Sequence, residues 1–202
     1  MSTLKRLHTA IGTLKSLFYN VSKEDFATCG EDVILEYPVK VDHPELVYIG
    51  SHVVIRGGLT LISHTGKLII KDHTRMAQRL TVVTGNHTVK PPLDRWQVEC
   101  NQSGYGDIEE DVTIEEDVWI GINVTIMPGV TIGRGSIIGA CSNVTKSTPP
   151  YTVCCGNPCR VVRLKYSIEE IIKREEILYP SDKRLDKDFL YELLSKYIHN
   201  EV

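Results

Sequence analysis

The sequence is short of aromatic residues, of long apolar runs and of basic charge. Phe, Trp and Tyr make up 7% of its 202 residues, while hydrophobic residues as a whole make up 42%, so a core has to be built mainly from Ile, Val and Leu. No apolar run approaches the roughly 20 residues that a membrane-spanning helix needs. The net charge of −3 argues against a nucleic-acid partner, which requires a basic surface.

Two further absences bear on location. Residues 1–18 (MSTLKRLHTAIGTLKSLF) lack the uninterrupted apolar stretch and the small-residue cleavage site of a secretory signal. The six cysteines include no C-x-x-C pair, and the adjacent Cys154 and Cys155 cannot easily serve one tetrahedral zinc site together. We therefore expect a cytoplasmic protein with structural or incidental thiols and with neither nucleic acid nor a membrane as a partner.

Residues 108–149 repeat with a period of six. The first position of each hexad is aliphatic, and the fifth is Val or a small residue. This period matches neither an α-helix nor a simply alternating strand. It predicts a solenoid in which each hexad forms one short strand and one turn, and three hexads form one triangular coil. A barrel of antiparallel strands would instead place turn signals about every 8–12 residues. The seven first positions are Ile108, Ile114, Ile120, Ile126, Ile132, Ile138 and Val144.

The same phase is present earlier in the chain. Hexads start at Ile49 and Ile70, and the frame slips by three residues between Leu61 and Ile70, where Gly66 and Lys67 are expected to bulge at a corner. Residues 29–33 are interpreted as a first, degenerate rung. The pattern then vanishes over the 20 residues 88–107. Such a segment inside a strict repeat predicts an extruded loop, and loops of this kind often carry function.

At both ends of the chain the apolar residues recur with the spacing of an amphipathic helix. Apolar residues between Leu4 and Val21 fall on one helical face. A capping box at Ser167–Glu170 opens a second helix, and a third is expected over residues 186–199, with Phe189 on its apolar face. These helices are expected to cap the open ends of the solenoid. The predicted organisation is an N-terminal helical segment (1–28), the solenoid (29–163) and a C-terminal helical extension (164–202). Basic residues in the first helix leave a membrane-surface role open.

Residues 118–163 (VWIGINVTIMPGVTIGRGSIIGACSNVTKSTPPYTVCCGNPCRVVR) resemble the hexapeptide-repeat acyltransferases. Maltose and galactoside O-acetyltransferases, and the O-acetyltransferases of surface-polysaccharide synthesis, are the most similar groups. The resemblance implies a mainly β fold, a left-handed parallel β-helix with an N-terminal helix and C-terminal capping helices. The handedness comes from the resemblance alone, because general crossover rules favour the right-handed form. It also implies acetyl transfer from acetyl-CoA to a sugar hydroxyl by a homotrimer with shared active sites.

His87 is the candidate catalytic base. It lies in the segment TVVTGNHTV, where a repeat ends and the unpatterned segment begins. Acyl transfer from a thioester to a hydroxyl needs such a base at a surface where two substrates meet. The family has its catalytic His in a similar T-x-x-T-G-H segment, although here Asn86 intervenes and Thr88 replaces a common Pro. The resemblance further implies that the backbone N–H of Ile122 stabilises the oxyanion, at a position where Ser is usual.

Candidate cofactor-binding residues follow from groove chemistry and from the resemblance. The small residues 139–142 suit the floor of a groove for the thin pantetheine arm, and cationic residues attract the phosphates of the nucleotide. A large apolar side chain at Trp119 excludes water from the thioester. The alternative interpretation of these basic residues is that they are solvated charges at the surface and bind no phosphate. The cofactor-binding set that the resemblance implies is Trp119, Ala140, Thr145, Lys146, Arg160 and Arg163.

The acceptor side matches the family less well. Arg56 and His64 stand approximately where galactoside-type enzymes hold an Asn and an Asp, and Trp96 in the unpatterned segment is a reasonable stacking surface for a sugar. Three alternatives stay open. They are the same chemistry on an amine, a γ-class carbonic anhydrase relative with His52, His64 and His73 as ligands, and a non-catalytic scaffold. We expect acetyl-CoA as the acyl donor and no metal.

Overall fold

The computed structural model describes residues 21–63 and 65–197. Within them the repeat forms a parallel β-solenoid of about six turns, consistent with the left-handed β-helix. In chain order the elements are β1 (Thr28–Cys29), β2 (Ile34–Leu35), β3 (Val39–Val41), β4 (Val47–Ile49), β5 (Val54–Ile55), β6 (Leu59–Ile62), β7 (Leu68–Ile70), β8 (Arg75–Met76), β9 (Thr81–Val83), β10 (Gly85–Asn86), α1 (Gln97–Ser103), β11 (Ile108–Glu109), β12 (Val112–Ile114), β13 (Trp119–Ile120), β14 (Thr125–Ile126), β15 (Thr131–Ile132), β16 (Ile137–Ile138), β17 (Asn143–Val144), β18 (Thr152–Cys155), β19 (Arg160–Leu164), α2 (Ile168–Leu178) and α3 (Lys187–Leu194).

Equivalent strands of successive coils pair in parallel and form three faces of a prism. Face A contains β1, β4, β7, β12 and β15 in that order; face C contains β3, β6, β9, β14 and β17. Face B runs from β2 through β5, β8, β13 and β16 to β18, and β19 then pairs antiparallel with β18. β19 thus covers the edge of β18, the last parallel strand of face B.

The inward residues of the faces stack into one aliphatic core. Ile114 pairs with Ile70 on one side and with Ile132 on the other, and all three are buried. The first positions of the hexads from Ile114 to Val144 are fully buried, which confirms the stacking predicted from the period. Ile108 is the exception, because it lies in β11, pairs antiparallel with Asn86 and is 47% exposed. Its assignment to the stacked core was therefore wrong.

The irregular part of the repeat also follows the prediction. Cys29 pairs with Ile49, and Ile49 with Ile70, so the first rung and the two hexad starts are in register. Between Leu61 and Ile70 the chain makes a turn in which the buried hydroxyl of Ser63 donates to the carbonyl of Gly66 at 2.6 Å. This turn takes up the three extra residues without shifting the inward positions on either side.

The C-terminal extension is anchored at the corner between faces A and B. Ile168, Ile171, Leu190 and Leu194 pack around the buried Tyr151 of the last coil. The capping box is confirmed, because Glu170 N donates to Ser167 Oγ at 3.2 Å while Ser167 N donates to Glu170 Oε2 at 2.9 Å.

The third helix is shorter than expected. α3 ends at Leu194 and is followed by a 3₁₀ turn at Ser195–Tyr197, while residue 199 lies outside the described part of the chain. Phe189 does not belong to the apolar face, because its side chain is exposed.

The N-terminal helix predicted between Leu4 and Val21 lies almost entirely outside the described residues. Val21 itself packs against the core, and a 3₁₀ turn at Lys23–Asp25 precedes β1. Among the helices that the structure describes, none combines the length and the apolar character needed to span a bilayer.

Candidate active site

The unpatterned segment leaves the solenoid through a two-stranded antiparallel stem. Gly85 pairs with Glu109 and Asn86 with Ile108, so β10 and β11 bring the two ends of the segment together. A side chain at Gly85 would clash with the carboxylate of Glu109. That carboxylate accepts from the backbone N–H of Gly66 at 3.1 Å and thus ties the stem to the neighbouring coil.

His87 lies directly beyond this stem and faces a carboxylate. Its Nδ1 is 3.1 Å from Oδ2 and 3.2 Å from Oδ1 of Asp107. The imidazole is 51% exposed and the carboxylate 26% exposed. With Nδ1 engaged, Nε2 is the ring nitrogen that can take a proton from a substrate.

The sequence reasoning missed Asp107. Its only signal is its place as the last residue of the unpatterned segment, immediately before the chain returns to the solenoid. His87 and Asp107 are 20 residues apart in the sequence, and the pairing of β10 with β11 brings their side chains into contact.

The extruded segment is folded rather than irregular throughout. It contains α1, whose Cys100 is fully buried. Trp96 directly precedes α1, and its side chain is 76% exposed on the outer surface of the loop. Nearby, the guanidinium of Arg95 lies over the ring of Tyr105 at 5.8 Å.

Ile122 forms the corner between faces B and C. Gly121 N donates to Ile138 O at 2.8 Å and Asn123 N donates to Gln78 O at 2.9 Å. Between them, the N–H of Ile122 donates to no acceptor within residues 21–63 and 65–197. Ala140 is stacked on this corner, because a Cβ at Gly121 would come within 2.7 Å of its nitrogen. The structure therefore brings Ile122 and Ala140 together.

His87 and Ile122 are not brought together within one protomer. His87 follows the carboxyl end of face C, where β9 ends, whereas Ile122 precedes the amino end of the same face, where β14 begins. At about 3.3 Å per residue, the width of the face separates them by roughly 15 Å. One protomer therefore cannot apply both groups to the same reacting atoms.

The cationic candidates divide between two cavities at the C-terminal coil. Lys146 and Arg160 line a cavity of about 520 Å³ together with Tyr197. Arg163 instead lines a cavity of about 410 Å³ beside α2 and α3. Thr145 is exposed next to Lys146.

Trp119 is half-exposed on the outer surface of face B, between Arg75 and Ile137 of the adjacent coils. It therefore lies on the same face as β19, which carries Arg160 and Arg163.

Cys159 directly precedes Arg160, and its thiol interacts with that of Cys154. The hydrogen bond between the side chains of Cys154 and Cys159 lowers the pKa of Cys159 and raises that of Cys154, and burial raises the pKa of Cys154 further. Cys154 faces the core and is inert as a nucleophile in this state.

The acceptor candidates are scattered. Arg56 follows β5 at the corner between faces B and C and forms an ion pair with Glu36. His64 lies outside the described residues.

His52 and His73 are stacked with ring centroids 4.9 Å apart and planes inclined by 6°. No group of three His, Cys, Asp or Glu side chains suited to a metal ion occurs among the described residues.

Comparison with known proteins agrees with the geometry. The model of the family described as "Bacterial transferase hexapeptide (six repeats)" matches residues 111–146. Galactoside O-acetyltransferase of Escherichia coli (strain K12) is 36% identical over 164 residues, which are 81% of this chain and 73% of that protein. This chain belongs to the hexapeptide-repeat acyltransferase family.

Solved structures of other hexapeptide-repeat acyltransferases share the fold. Galactoside acetyltransferase in complex with coenzyme A has a TM-score of 0.64 at 34% identity, over 81% of this chain and 74% of that chain. A hexapeptide-repeat acetyltransferase from Vibrio cholerae O1 biovar eltor, complexed with acetyl coenzyme A, has a TM-score of 0.64 at 30% identity, over 72% of this chain and 74% of that chain. These similarities confirm the resemblance inferred from residues 118–163.

Proposed function

We propose that the protein transfers an acetyl group from acetyl-CoA to a hydroxyl of a sugar or polysaccharide precursor. The observation that carries the proposal is the exposed imidazole of His87, held by Asp107 where the extruded loop leaves the solenoid. Its relative galactoside O-acetyltransferase, and family structures that contain coenzyme A or acetyl coenzyme A, support the reaction class and the donor.

In the proposed mechanism, Nε2 of His87 takes the proton of the acceptor hydroxyl as its oxygen attacks the thioester carbonyl. The negative charge that develops on the carbonyl oxygen is stabilised by the N–H of Ile122. The tetrahedral intermediate collapses, the C–S bond breaks, and the thiolate of coenzyme A leaves and takes the proton from the imidazolium. The ester product and free coenzyme A result, and His87 returns to its neutral form.

The proposed cofactor site runs along face B and its corner with face C towards the C-terminal coil. Ala140 and Trp119 would border the pantetheine arm, and Thr145, which follows β17 at the other edge of face C, would contact a different part of the cofactor. Lys146 and Arg160, which share a cavity, and Arg163 on β19 would attract the phosphates.

We also propose a homotrimer with active sites between protomers. The separation of His87 from Ile122 supports it, because a second copy would have to supply the missing group. A closed ring of three identical interfaces gives every protomer the same neighbour, so each site would receive both groups. The outer surface of face B offers apolar contact area, since Ile34 and Trp119 are both exposed.

On the acceptor side, we propose that Arg56, His64 and Trp96 contact the sugar. The exposed ring of Trp96 is suited to stack on the apolar face of a pyranose.

The proposed location of the protein is the cytoplasm. It is supported by the six cysteines, which are all free thiols, because thiols stay reduced in that compartment.

A thiol-release assay with acetyl-CoA and a panel of sugars tests the proposed function. His87→Ala should abolish turnover and leave the dissociation constant for coenzyme A near that of wild type. Thiol release with amines but with no sugar would favour N-acetylation. No thiol release and no binding of coenzyme A would favour the scaffold.

A further inference from the structure

We propose that Lys196 and Tyr197, in the C-terminal extension, belong to the site for the nucleotide end of the donor. Lys196 binds a phosphate group, and the ring of Tyr197 packs against the adenine. This inference rests on acetyl-CoA as the proposed donor. The segment that resembles the family ends at Arg163 and the matching family model ends at residue 146, so neither residue could be assigned from them.

One cavity brings the extension together with the last coil. Lys196 and Tyr197 line the same cavity of about 520 Å³ as Lys146 and Arg160. Lys146 follows β17, Arg160 begins β19, and Lys196 lies in the 3₁₀ turn after α3. Three separate parts of the chain thus direct a cation to one space, whose volume is within the range of small-molecule sites.

The positive charge of this cavity is not neutralised by the protein. Among the described residues that line it, none is acidic. Lys146, Arg160 and Lys196 take part in none of the ion pairs that the described residues form. By contrast, Arg174 and Lys187 of the same extension each lie within 2.8 Å of a carboxylate oxygen. Like charges placed together repel, and an anion that enters the cavity relieves this repulsion.

Lys196 is available to such an anion. Its side chain is exposed, and its Nζ lies 5.2 Å from the centroid of the Tyr197 ring. A cation–π contact at an exposed site is weaker than a charge-assisted hydrogen bond to a phosphate. The amine can therefore turn from the ring to a phosphate oxygen, and this movement frees the face of the ring for a base.

Tyr197 is held in place by the docked extension. Its ring packs in part against the cluster around Tyr151, and the fully buried Leu194 fixes the end of α3 just before the turn. Tyr197 also borders the cavity of about 410 Å³ that Arg163 lines. It therefore stands between the two cavities that contain the proposed phosphate-binding cations. A ring that is already ordered loses little entropy when a ligand packs on it.

Calorimetric titration with coenzyme A and with adenosine 3′,5′-bisphosphate tests the site without an acceptor. We expect Lys196→Ala to raise both dissociation constants about 10-fold, through loss of a charged hydrogen bond, and to weaken their dependence on salt. Tyr197→Leu should raise them about 10-fold through loss of base stacking, whereas Tyr197→Phe keeps the ring and should bind like wild type. Lys173→Ala, which removes an exposed lysine of α2, is the control for loss of one charge.

A truncated donor separates a nucleotide contact from a loss of folded protein. S-acetylpantetheine carries the thioester but lacks the nucleotide. Lys196→Ala and Tyr197→Leu should lower kcat/KM for acetyl-CoA about 10-fold and leave kcat/KM for S-acetylpantetheine unchanged. Misfolding would lower both values alike, and the melting temperature of each variant checks this directly.

Dissociation constants that stay unchanged in either variant would overturn the role of that residue. Tighter binding would also overturn it, because the extension would then obstruct the cavity. If wild type binds coenzyme A but acetylates no acceptor, the proposed function fails, while the titrations still decide the inference. If wild type transfers acetyl groups and both variants bind like wild type, only the inference fails.

Discussion

The carboxylate of Glu175 lies 3.0 Å from the guanidinium of Arg134, although the two residues are 41 positions apart. Arg134 belongs to the corner between faces A and B, and Glu175 belongs to α2. Glu175 is only 2% exposed, and it also accepts from the hydroxyl of Tyr151 and from Leu185 N. Because a buried charge is tolerated only when it is paired and hydrogen-bonded, this contact fixes how α2 docks on the solenoid.

Replacing Glu175 by Ala should be strongly destabilising. Arg134 loses one partner in a buried setting, and the hydroxyl of Tyr151 loses its acceptor. Breaking a buried pair from one side costs about 3–5 kcal/mol, which chemical denaturation measures as a lower midpoint. The matched control is the neighbouring Glu176→Ala, whose side chain is 45% exposed and pairs with Lys187 at the surface. An unchanged midpoint for Glu175→Ala would contradict the proposed anchoring.

The same corner predicts a loss of stability at high pH. Burial, opposed by Arg134 and reinforced by nearby carboxylates, raises the pKa of Tyr179 from 10.0 to about 12. Between pH 10 and 12 the unfolded chain releases this proton while the folded protein keeps it, so the free energy of unfolding falls as pH rises. Burial and the hydrogen bond to Glu175 also raise the pKa of Tyr151, which adds to the same slope.

Tyr179→Phe isolates the contribution of one tyrosine. The variant lacks the titrating group but keeps the ring under Arg134, whose guanidinium lies 4.1 Å from the ring centroid. Its unfolding midpoint should fall less steeply over this pH range than that of wild type. Parallel curves for the two proteins would show that Tyr179 titrates alike in the folded and unfolded states.

Complementation between inactive variants should reveal whether active sites are shared. His87→Ala lacks the proposed base, and Ile122→Pro lacks the proposed oxyanion donor, because proline has no N–H. Each variant alone should be inactive. After denaturation and joint refolding in equal amounts, about a quarter of the interfaces in a closed ring should combine a native His87 with a native Ile122.

Recovered thiol release in that mixture, near a quarter of the wild-type value, would support sites shared between protomers. Folding of Ile122→Pro is checked by its melting temperature, and refolded wild type corrects for losses. Activity that stays at the level of the single variants, in correctly assembled mixtures, would place both groups in one chain and contradict the proposed assembly.

Local periodicity predicted the solenoid but not where the chain re-enters it. Stacking repeats every hexad, so the buried positions from Ile114 onward could be counted along the sequence. Ile108 fits the same count, yet it pairs with Asn86 in the stem, and a count of six does not distinguish stem from coil. The contacts of His87 with Asp107 and of Arg134 with Glu175 depend on a hairpin register and on helix docking. Neither leaves a periodic signal in the sequence.

A final prediction concerns the tight packing of the last coils. Gly135 has φ 70°, and a Cβ there would clash with the ring of the buried Tyr151. Gly135→Ala should therefore destabilise by about 1–3 kcal/mol from overpacking, in addition to roughly 1 kcal/mol for the left-handed backbone. Gly104→Ala is the matched control, because its φ is 65° but the nearest atom to an added Cβ is 3.8 Å away. The control should show the backbone effect alone, so the difference between the two urea midpoints measures the clash. Equal midpoints would mean that Tyr151 can move aside, and that the corner is less rigid than its buried contacts with Glu175 indicate.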